Sequence, residues 1–347
     1  MFPSLAHDRF SNQEMRVTHN PPPVVTGATG FIGARVAERL IEAGQRPRLL
    51  VRDPARLRPA LRSHADVLVS DLTSPESLIP ALKGAGTLFH CAANVSTWDR
   101  WETYEQVNVQ GVQNLLVAME QAGGLQGRLI HLSSMDVYGF PTLPQDESAP
   151  ATGGMFGYGR SKALGEALLR DEAVRRGFDY TIFRPGNVVG PHSQFIRRLG
   201  DELRASLMLK INHGHADFGF LYIDNLIDAL FWAAQTPAAS GQCFNIRDPL
   251  NLDWARFLRD LKAGMKGRSP VLDMPFPISD LAARLMELPW RVLPLRGEPL
   301  LHRLLVRIFG RTCGHDISRL TRAGAPLGRI GYEEAMGQAI AWYNRLT

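Results

Sequence analysis

From residue 24 to about 183, short apolar runs alternate with amphipathic stretches, the order that builds a parallel sheet flanked by helices. The runs predict strands at 48–51, 66–69, 87–90, 128–132 and 180–183, with helices between them. Segment 101–121 is typical of the helices, with Val107, Leu115, Val117 and Met119 set among polar residues so that one stripe faces inward. The first strand is short, because Pro21, Pro22 and Pro23 leave only Val24, Val25 and Thr26, and proline cannot donate to a ladder. After Arg184 the pattern loosens into a helix at 195–207, a strand at 218–223, a helix at 225–234 and a strand at 243–246. Beyond Leu250 it reads as all helical with Pro-rich breaks. The chain is therefore expected to be α/β, a doubly wound parallel Rossmann sheet with a smaller, mostly helical C-terminal substrate domain. A loose tail at 1–21 precedes a dinucleotide-binding domain at 22–190, to which 217–247 contributes. Segments 191–216 and 248–347 form the substrate-binding region, and the junction makes a cleft.

Composition narrows the class. With 347 residues, 45% of them hydrophobic, the chain can bury a full core. Its net charge of +5 is spread among nearly balanced ions, and no basic run is interleaved with aromatics, so nucleic acid is not expected as a partner. Cys91, Cys243 and Cys313 share no metal-ligand or disulfide-framework spacing, which predicts neither a zinc site nor any other bound metal. The first twenty residues lack the apolar core of a secretory signal, and no stretch approaches the ~20 apolar residues that span a bilayer. A soluble cytoplasmic protein is the expectation.

Gly27-Ala-Thr29-Gly30-Phe31-Ile32-Gly33 lies between the first strand and a helix at 31–43. Glycines let a backbone turn tightly and approach a pyrophosphate, whose charge is met by free N–H groups at the helix N-terminus. An NAD-selective site holds its ribose with an acidic residue at the end of the second strand; here that place is Val51, followed by Arg52. A guanidinium suits a 2′-phosphate, so NADP(H) is favoured over NAD(H). Arg56 and Arg58 either add to that field or are solvated surface charge, and Asp53-Pro54 reads as a turn. Asp71 either accepts from the adenine amino group or caps the turn ahead of Pro75.

Tyr158 and Lys162 open a helix four residues apart, on one face. An ammonium beside a phenol favours the phenolate, so Tyr158 is expected to have a lowered pKa and to exchange a proton near neutral pH. The preceding strand ends in Ser133-Ser134, and a hydroxyl there steadies the oxygen on a reacting carbon. Ser134 is the preferred candidate and Ser133 the alternative.

Together these residues resemble the extended short-chain dehydrogenases/reductases of the NAD(P)-dependent epimerase/dehydratase superfamily. The resemblance rests on TGATGFIG at 26–33, Asp71-Leu72, His90-Cys-Ala-Ala93, Asn108-Val-Gln-Gly111, SSMDVYG at 133–139, YGRSK at 158–162 and RPGNVVGP at 184–191. It implies Ser134 as substrate-oxygen partner, Tyr158 as acid/base, Lys162 as its electrostatic and ribose partner, and Asn108 as a supporting active-site amide. It also implies Asp71 and Leu72 at the adenine end, Ala92 against the cofactor, and Pro185, Asn187 and Val188 beside the nicotinamide. LVRDP at 50–54 resembles dihydroflavonol-reductase-like members. The segments at 220–225 and 241–246 and the helical tail resemble 3β-hydroxysteroid and sterol-carboxylate dehydrogenases, and a homodimer is common in the family.

The resulting expectation is an NADP(H)-dependent oxidoreductase interconverting a secondary alcohol and a ketone on a bulky hydrophobic small molecule: sterol-like, flavonoid-like or a long-chain 3-keto compound. Trp98, with Trp101 and Tyr104, is a candidate wall of the substrate pocket, and Tyr138 a second substrate contact. A sugar-nucleotide epimerase/dehydratase with retained NAD(P), or a non-catalytic NADP-binding sensor, are the alternatives. Segment 300–311 places Leu301, Leu304, Leu305 and Ile308 along one side among basic residues. It reads either as a cover over the substrate cleft or a neighbouring subunit, or as a peripheral contact with an anionic membrane.

Overall fold

The computed structural model describes residues 21–205, 207–293, 295–312 and 314–346, so the expected N-terminal tail, apart from Pro21, and Cys313 lie outside the described residues. Six strands alternate with helices: β1 (Val24–Thr26), α1 (Phe31–Glu42), β2 (Arg48–Val51), α2 (Pro59–His64), β3 (Asp66–Val69), α3 (Pro75–Leu82), β4 (Leu88–His90), α4 (Trp101–Glu105), α5 (Gly111–Gln121), β5 (Leu129–Leu132), α6 (Gly157–Arg176) and β6 (Tyr180–Pro185). The C-terminal part adds β7 (Asn187–Val189), α7 (Gln194–Ala205), β8 (Met208–Ile211), β9 (Phe220–Tyr222), α8 (Ile223–Gln235), β10 (Gln242–Ile246), α9 (Trp254–Gly264), β11 (Val271–Met274), α10 (Phe276–Val292), α11 (Arg303–Arg311), α12 (Ser318–Arg322) and α13 (Tyr332–Asn344).

The main sheet is parallel throughout, in the order β10-β6-β5-β4-β1-β2-β3. The order reverses between β1 and β4, and a doubly wound sheet opens a ligand crevice at the strands' carboxyl ends where that happens. The chain thus has the Rossmann architecture expected of it, with a helical C-terminal region. The prolines before β1 do not prevent pairing: the carbonyls of Pro22 and Pro23 accept from Gly86 and Arg48 at 3.0 and 2.9 Å, so only donors are missing from that end of the strand. One core cluster lies between the sheet and α1, α8 and the C-terminal helices, and a second lies under α3 and α5.

Two departures from the sequence reading concern the C-terminal part. Beyond Leu250 the chain is not all helical, because β11 pairs in parallel with β8, a strand the pattern did not mark. In addition, β7 and β9 form their own two-stranded sheet, which turns the chain after Pro185 across the carboxyl end of the main sheet.

Candidate active site

The glycine turn is fixed by sterics. Gly27 sits at φ +72°, and a Cβ on it would lie 2.7 Å from the Ala92 nitrogen; one on Gly33 would lie 2.4 Å from the Gly27 carbonyl. Only glycine fits where β1, the start of α1 and the segment after β4 crowd together. Thr26 ties β1 to the end of β4 and the segment after it. Its hydroxyl accepts from the Ala92 N–H at 3.2 Å and shares a hydrogen bond with Nδ1 of His90 at 2.8 Å, and burial holds that imidazole neutral by lowering its pKa to about 3. Gly30 caps α1 without a side chain, and the first turn carries no acid, so the helix presents its N–H groups to the crevice. Thr29 and Gly30 are exposed there, with Phe31 and Ile32 half-buried beside them.

Arg52, at the end of β2, is exposed and makes no ion pair among the described residues. Arg58 pairs with Glu38 on α1, so it belongs to that surface rather than to the free field at β2. Asp53 accepts from the Ala55 N–H at 2.9 Å, the turn its sequence announced. Asp71 uses one carboxylate oxygen on the Thr73 N–H at 2.9 Å, leaving the other open. Leu72 leans on α5, where its carbonyl accepts from Asn114 at 2.7 Å.

Ser134 and Lys162 are buried at the carboxyl end of β5 and on α6, with Tyr158 half-buried on the first turn of that helix. The Ser134 hydroxyl accepts from the Asp136 N–H at 3.1 Å and lies near enough to the Tyr158 phenol to favour its ionised form. Ser133, the alternative, has a buried hydroxyl with no hydrogen-bond partner among the described residues.

The electrostatics differ from the sequence expectation. Burial, reinforced by the Asp136 carboxylate, pushes the Tyr158 phenol above its ordinary value, and the Ser134 hydroxyl opposes this only in part. The ammonium of Lys162 does not act as its neighbour here. It donates to the Leu132 carbonyl at 2.5 Å, and burial, against the opposing charge of Glu166, lowers its pKa to about 8. Asp136, which sequence reading quoted within its motif but gave no role, is the residue it missed. Burial raises its carboxyl to about 6, and its backbone grips Ser134. An acid two residues after the candidate serine was the available signal.

Two expected site residues serve as supports. Asn108 lies in a π-helical turn, Gln106–Gln110, between α4 and α5, and its amide is fully used. It accepts from the Asn94 N–H at 2.8 Å and donates to the Asn94 carbonyl and the Ser161 hydroxyl, each at 2.9 Å, locking the segment after β4 to α6. Tyr138 does not face the open site, contrary to expectation. Its hydroxyl donates to Asn245 at 2.8 Å and accepts from Arg184 at 2.6 Å, within a buried network that includes the Arg184–Glu166 ion pair. Among the segments expected beside the nicotinamide, Pro185 and Asn187 line a pocket of about 60 Å³ together with Ser134, Asp136, Phe218 and Arg311. Val188 is paired to Leu221 in the small sheet behind it.

A larger cleft, about 670 Å³, opens beside the first turn of α6. Trp98 and Tyr104 line one wall, as expected, and Trp290, Leu293, Leu295 and His302 line the other. Trp101 instead stacks under the Arg160 guanidinium, 4.4 Å from its ring. The buried His302, kept neutral by burial with its pKa lowered to about 4, pins the two walls together through Thr97 at 3.3 Å. Among the described residues no group of three or more His, Cys, Asp or Glu could hold a metal ion, and no helix is long and apolar enough to cross a membrane.

The family model described as the NAD dependent epimerase/dehydratase family matches residues 24–246, which takes in every strand of the main sheet. The chain belongs to this family. Its similarity to known proteins extends past the matched segment. It is 27% identical over 316 residues to 4-hydroxy-2-methyl-3-oxo-4-farnesyl-3,4-dihydroquinoline-1-oxide ketoreductase of Stigmatella aurantiaca, covering 90% of this chain and 93% of that protein. It is 26% identical over 272 residues to the decarboxylating sterol-4-alpha-carboxylate 3-dehydrogenase of Mus musculus, covering 76% and 74%. The crystal structure of gox2253 superposes with a TM-score of 0.76 at 25% identity, covering 94% of this chain and 99% of that one. The extended short-chain dehydrogenase/reductase reading of the sequence is thus borne out. So is the expectation of an NAD(P)-dependent dehydrogenase/reductase acting on a CH–OH or C=O group.

Proposed function

We propose that this member of the family interconverts a secondary alcohol and a ketone on a bulky, hydrophobic small molecule, using NADP(H). The observation that carries the reading is the convergence of a turn only glycine can form, the neighbouring Ser134 and Tyr158 hydroxyls and a cleft of about 670 Å³ with aromatic walls.

The residues present fit a dinucleotide, since the spaces a Cβ would fill at Gly27 and Gly33 are closed by backbone and the first turn of α1 faces the crevice with neither acid nor side-chain cap. Gly27, Gly30 and Gly33 with Thr29, Phe31 and Ile32 would hold its pyrophosphate, Asp71 and Leu72 its adenine end, Arg52 a 2′-phosphate, and Ala92, Lys162, Pro185, Asn187 and Val188 its nicotinamide half. When bound, such a coenzyme supplies hydride-transfer chemistry.

The chain's own groups handle the proton. Tyr158, with a phenol that stays protonated at neutral pH, gives its proton to the substrate oxygen during reduction and takes it back during oxidation. Ser134 holds that oxygen. Lys162, charged below about pH 8, stabilises the phenolate left behind once its ammonium turns from the Leu132 carbonyl. Asn108 acts as a positioning residue, through Asn94 and Ser161.

The substrate class follows from the cleft and from relatives named for farnesyl-bearing and sterol substrates. We propose further that 22–190 with 217–247 acts as the coenzyme-binding unit, and that 191–216 with 248–346 covers the substrate. Screening hydrophobic 3-keto compounds and secondary alcohols with each coenzyme, following nicotinamide absorbance, tests the reading. Turnover of at least one class with NADPH is expected; a flat trace with every compound, alongside epimerised sugar nucleotides, would overturn it.

A further inference from the structure

Helix α10 is built inside out. A helix at a protein surface turns its apolar stripe to the core and its charges to water. Here the buried face holds Ser279, Asp280 and Glu287 together with Phe276 and Ala283. Ile278, Leu281, Leu285, Leu288 and Val292 are instead more than half exposed. Their spacing of three and four residues makes one continuous stripe about four turns long, and Leu293, Leu295 and Leu300 in the following segment are exposed as well. The buried acids are compensated from within. Asp280 meets Arg284, Arg303 and Arg307, and Glu287 meets Arg291 and the Arg303 N–H. The fold thus keeps two carboxylates inside while leaving five large aliphatic side chains in water, which a purely internal role for α10 does not explain.

The surroundings select what covers the stripe. Segment 276–311 contains six arginines against three acidic residues, and two of those acids are the buried ones. Arg284 and Arg291, seven residues apart and so on one edge of the stripe, are 57% and 59% exposed, and Arg296 just beyond it is exposed without an ion pair among the described residues. An apolar stripe edged with guanidinium groups is complementary to an anionic lipid surface, into which aliphatic side chains sink while arginines meet headgroup phosphates. The stripe is also continuous with the large cleft. Trp290, Leu293 and Leu295 belong to α10 and the segment that follows it, and they line the cavity that reaches Gly157, next to Tyr158. The neighbouring helix α11 presents less of such a face: Leu304 and Val306 are buried, and Leu301, Leu305 and Ile308 are half-buried.

We infer that the exposed face of α10 docks on anionic bilayers, bringing the mouth of the cleft to the phase in which a lipophilic substrate dissolves. The inference goes beyond the oxidoreductase reading, and its test needs neither substrate nor coenzyme, so either can fail without the other. The full chain is floated with vesicles of phosphatidylcholine mixed with phosphatidylglycerol, and with phosphatidylcholine alone. The expected result is flotation with the anionic vesicles, weakened by salt and by removal of the anionic lipid. Leu281→Glu combined with Leu285→Glu is expected to reduce partitioning by more than ~10-fold, because two apolar anchors are replaced by carboxylates that an anionic surface repels. Both positions are solvent-exposed, and an unchanged melting curve shows that the variant is folded. The inference is overturned if the parent chain stays at the bottom of the gradient with both compositions. It is equally overturned if the parent floats alike with both, if the double variant floats like the parent, or if the parent runs as a dimer that the double variant splits, since a second copy would then be the cover.

Discussion

The glycine turn and helix α10 sit at opposite ends of how a sequence can specify a surface. At the turn, every contact is internal: Gly27, Gly33, Thr26 and Ala92 crowd so closely that the backbone itself forms the site, and the residue types allow little else. At α10 the amphipathic period is just as regular, yet its apolar side faces away from the protein and its acids face in. Period alone reports that a helix has two unlike faces; which face is covered depends on what else is present. A pattern that looks like core is, here, written for a partner.

The largest effect sharpens the turn's side of this contrast, where the groups must act together. Tyr158→Phe is expected to lower turnover by at least ~10²-fold while leaving coenzyme affinity nearly unchanged, as removal of a general acid/base does; steady-state rates beside a coenzyme titration check it. Next, Arg52→Asp is expected to weaken NADPH by more than ~10-fold and NADH far less, read by fluorescence titration of each coenzyme. Equal losses for both would show that no 2′-phosphate is read there.

A smaller effect concerns Asp136. Above pH about 6 its carboxyl is ionised, and that charge helps hold the Tyr158 phenol up. Asp136→Asn removes the charge, so the phenol should ionise more easily and the limb of the alcohol-oxidation profile that rises with pH should move to lower pH. The smallest effect breaks the comparison most cleanly within the cover. Leu285→Glu, on the exposed stripe, is expected to change stability by less than ~0.5 kcal/mol, whereas Leu304→Ala, 4% exposed on α11, should cost about 2–4 kcal/mol by denaturant unfolding. Comparable losses at both sites would mean that the stripe is internal after all.

Much of the coenzyme half could be read in advance because local chemistry decides it. Strands β2 and β3 begin and end where the apolar runs do, and the glycine spacing announced the tight turn that sterics now explain. What escaped was set by long-range packing. No local pattern announces that Tyr138 is consumed by Asn245 and Arg184, that Lys162 reaches the Leu132 carbonyl, or that β8 finds a partner about sixty residues on. Asp136 lay in plain view within its motif, but only burial beside Tyr158 gives its carboxyl a consequence.

The most direct test of the central claim follows the hydride itself. The chain is given NADPH deuterated at the transferring position of the nicotinamide and a hydrophobic 3-keto compound that it turns over, and the product is analysed by mass spectrometry. The account predicts deuterium on the carbon bearing the new hydroxyl, formed in step with coenzyme oxidation and lost with Tyr158→Phe. A product without the label, or turnover that the Tyr158→Phe variant matches, would contradict it.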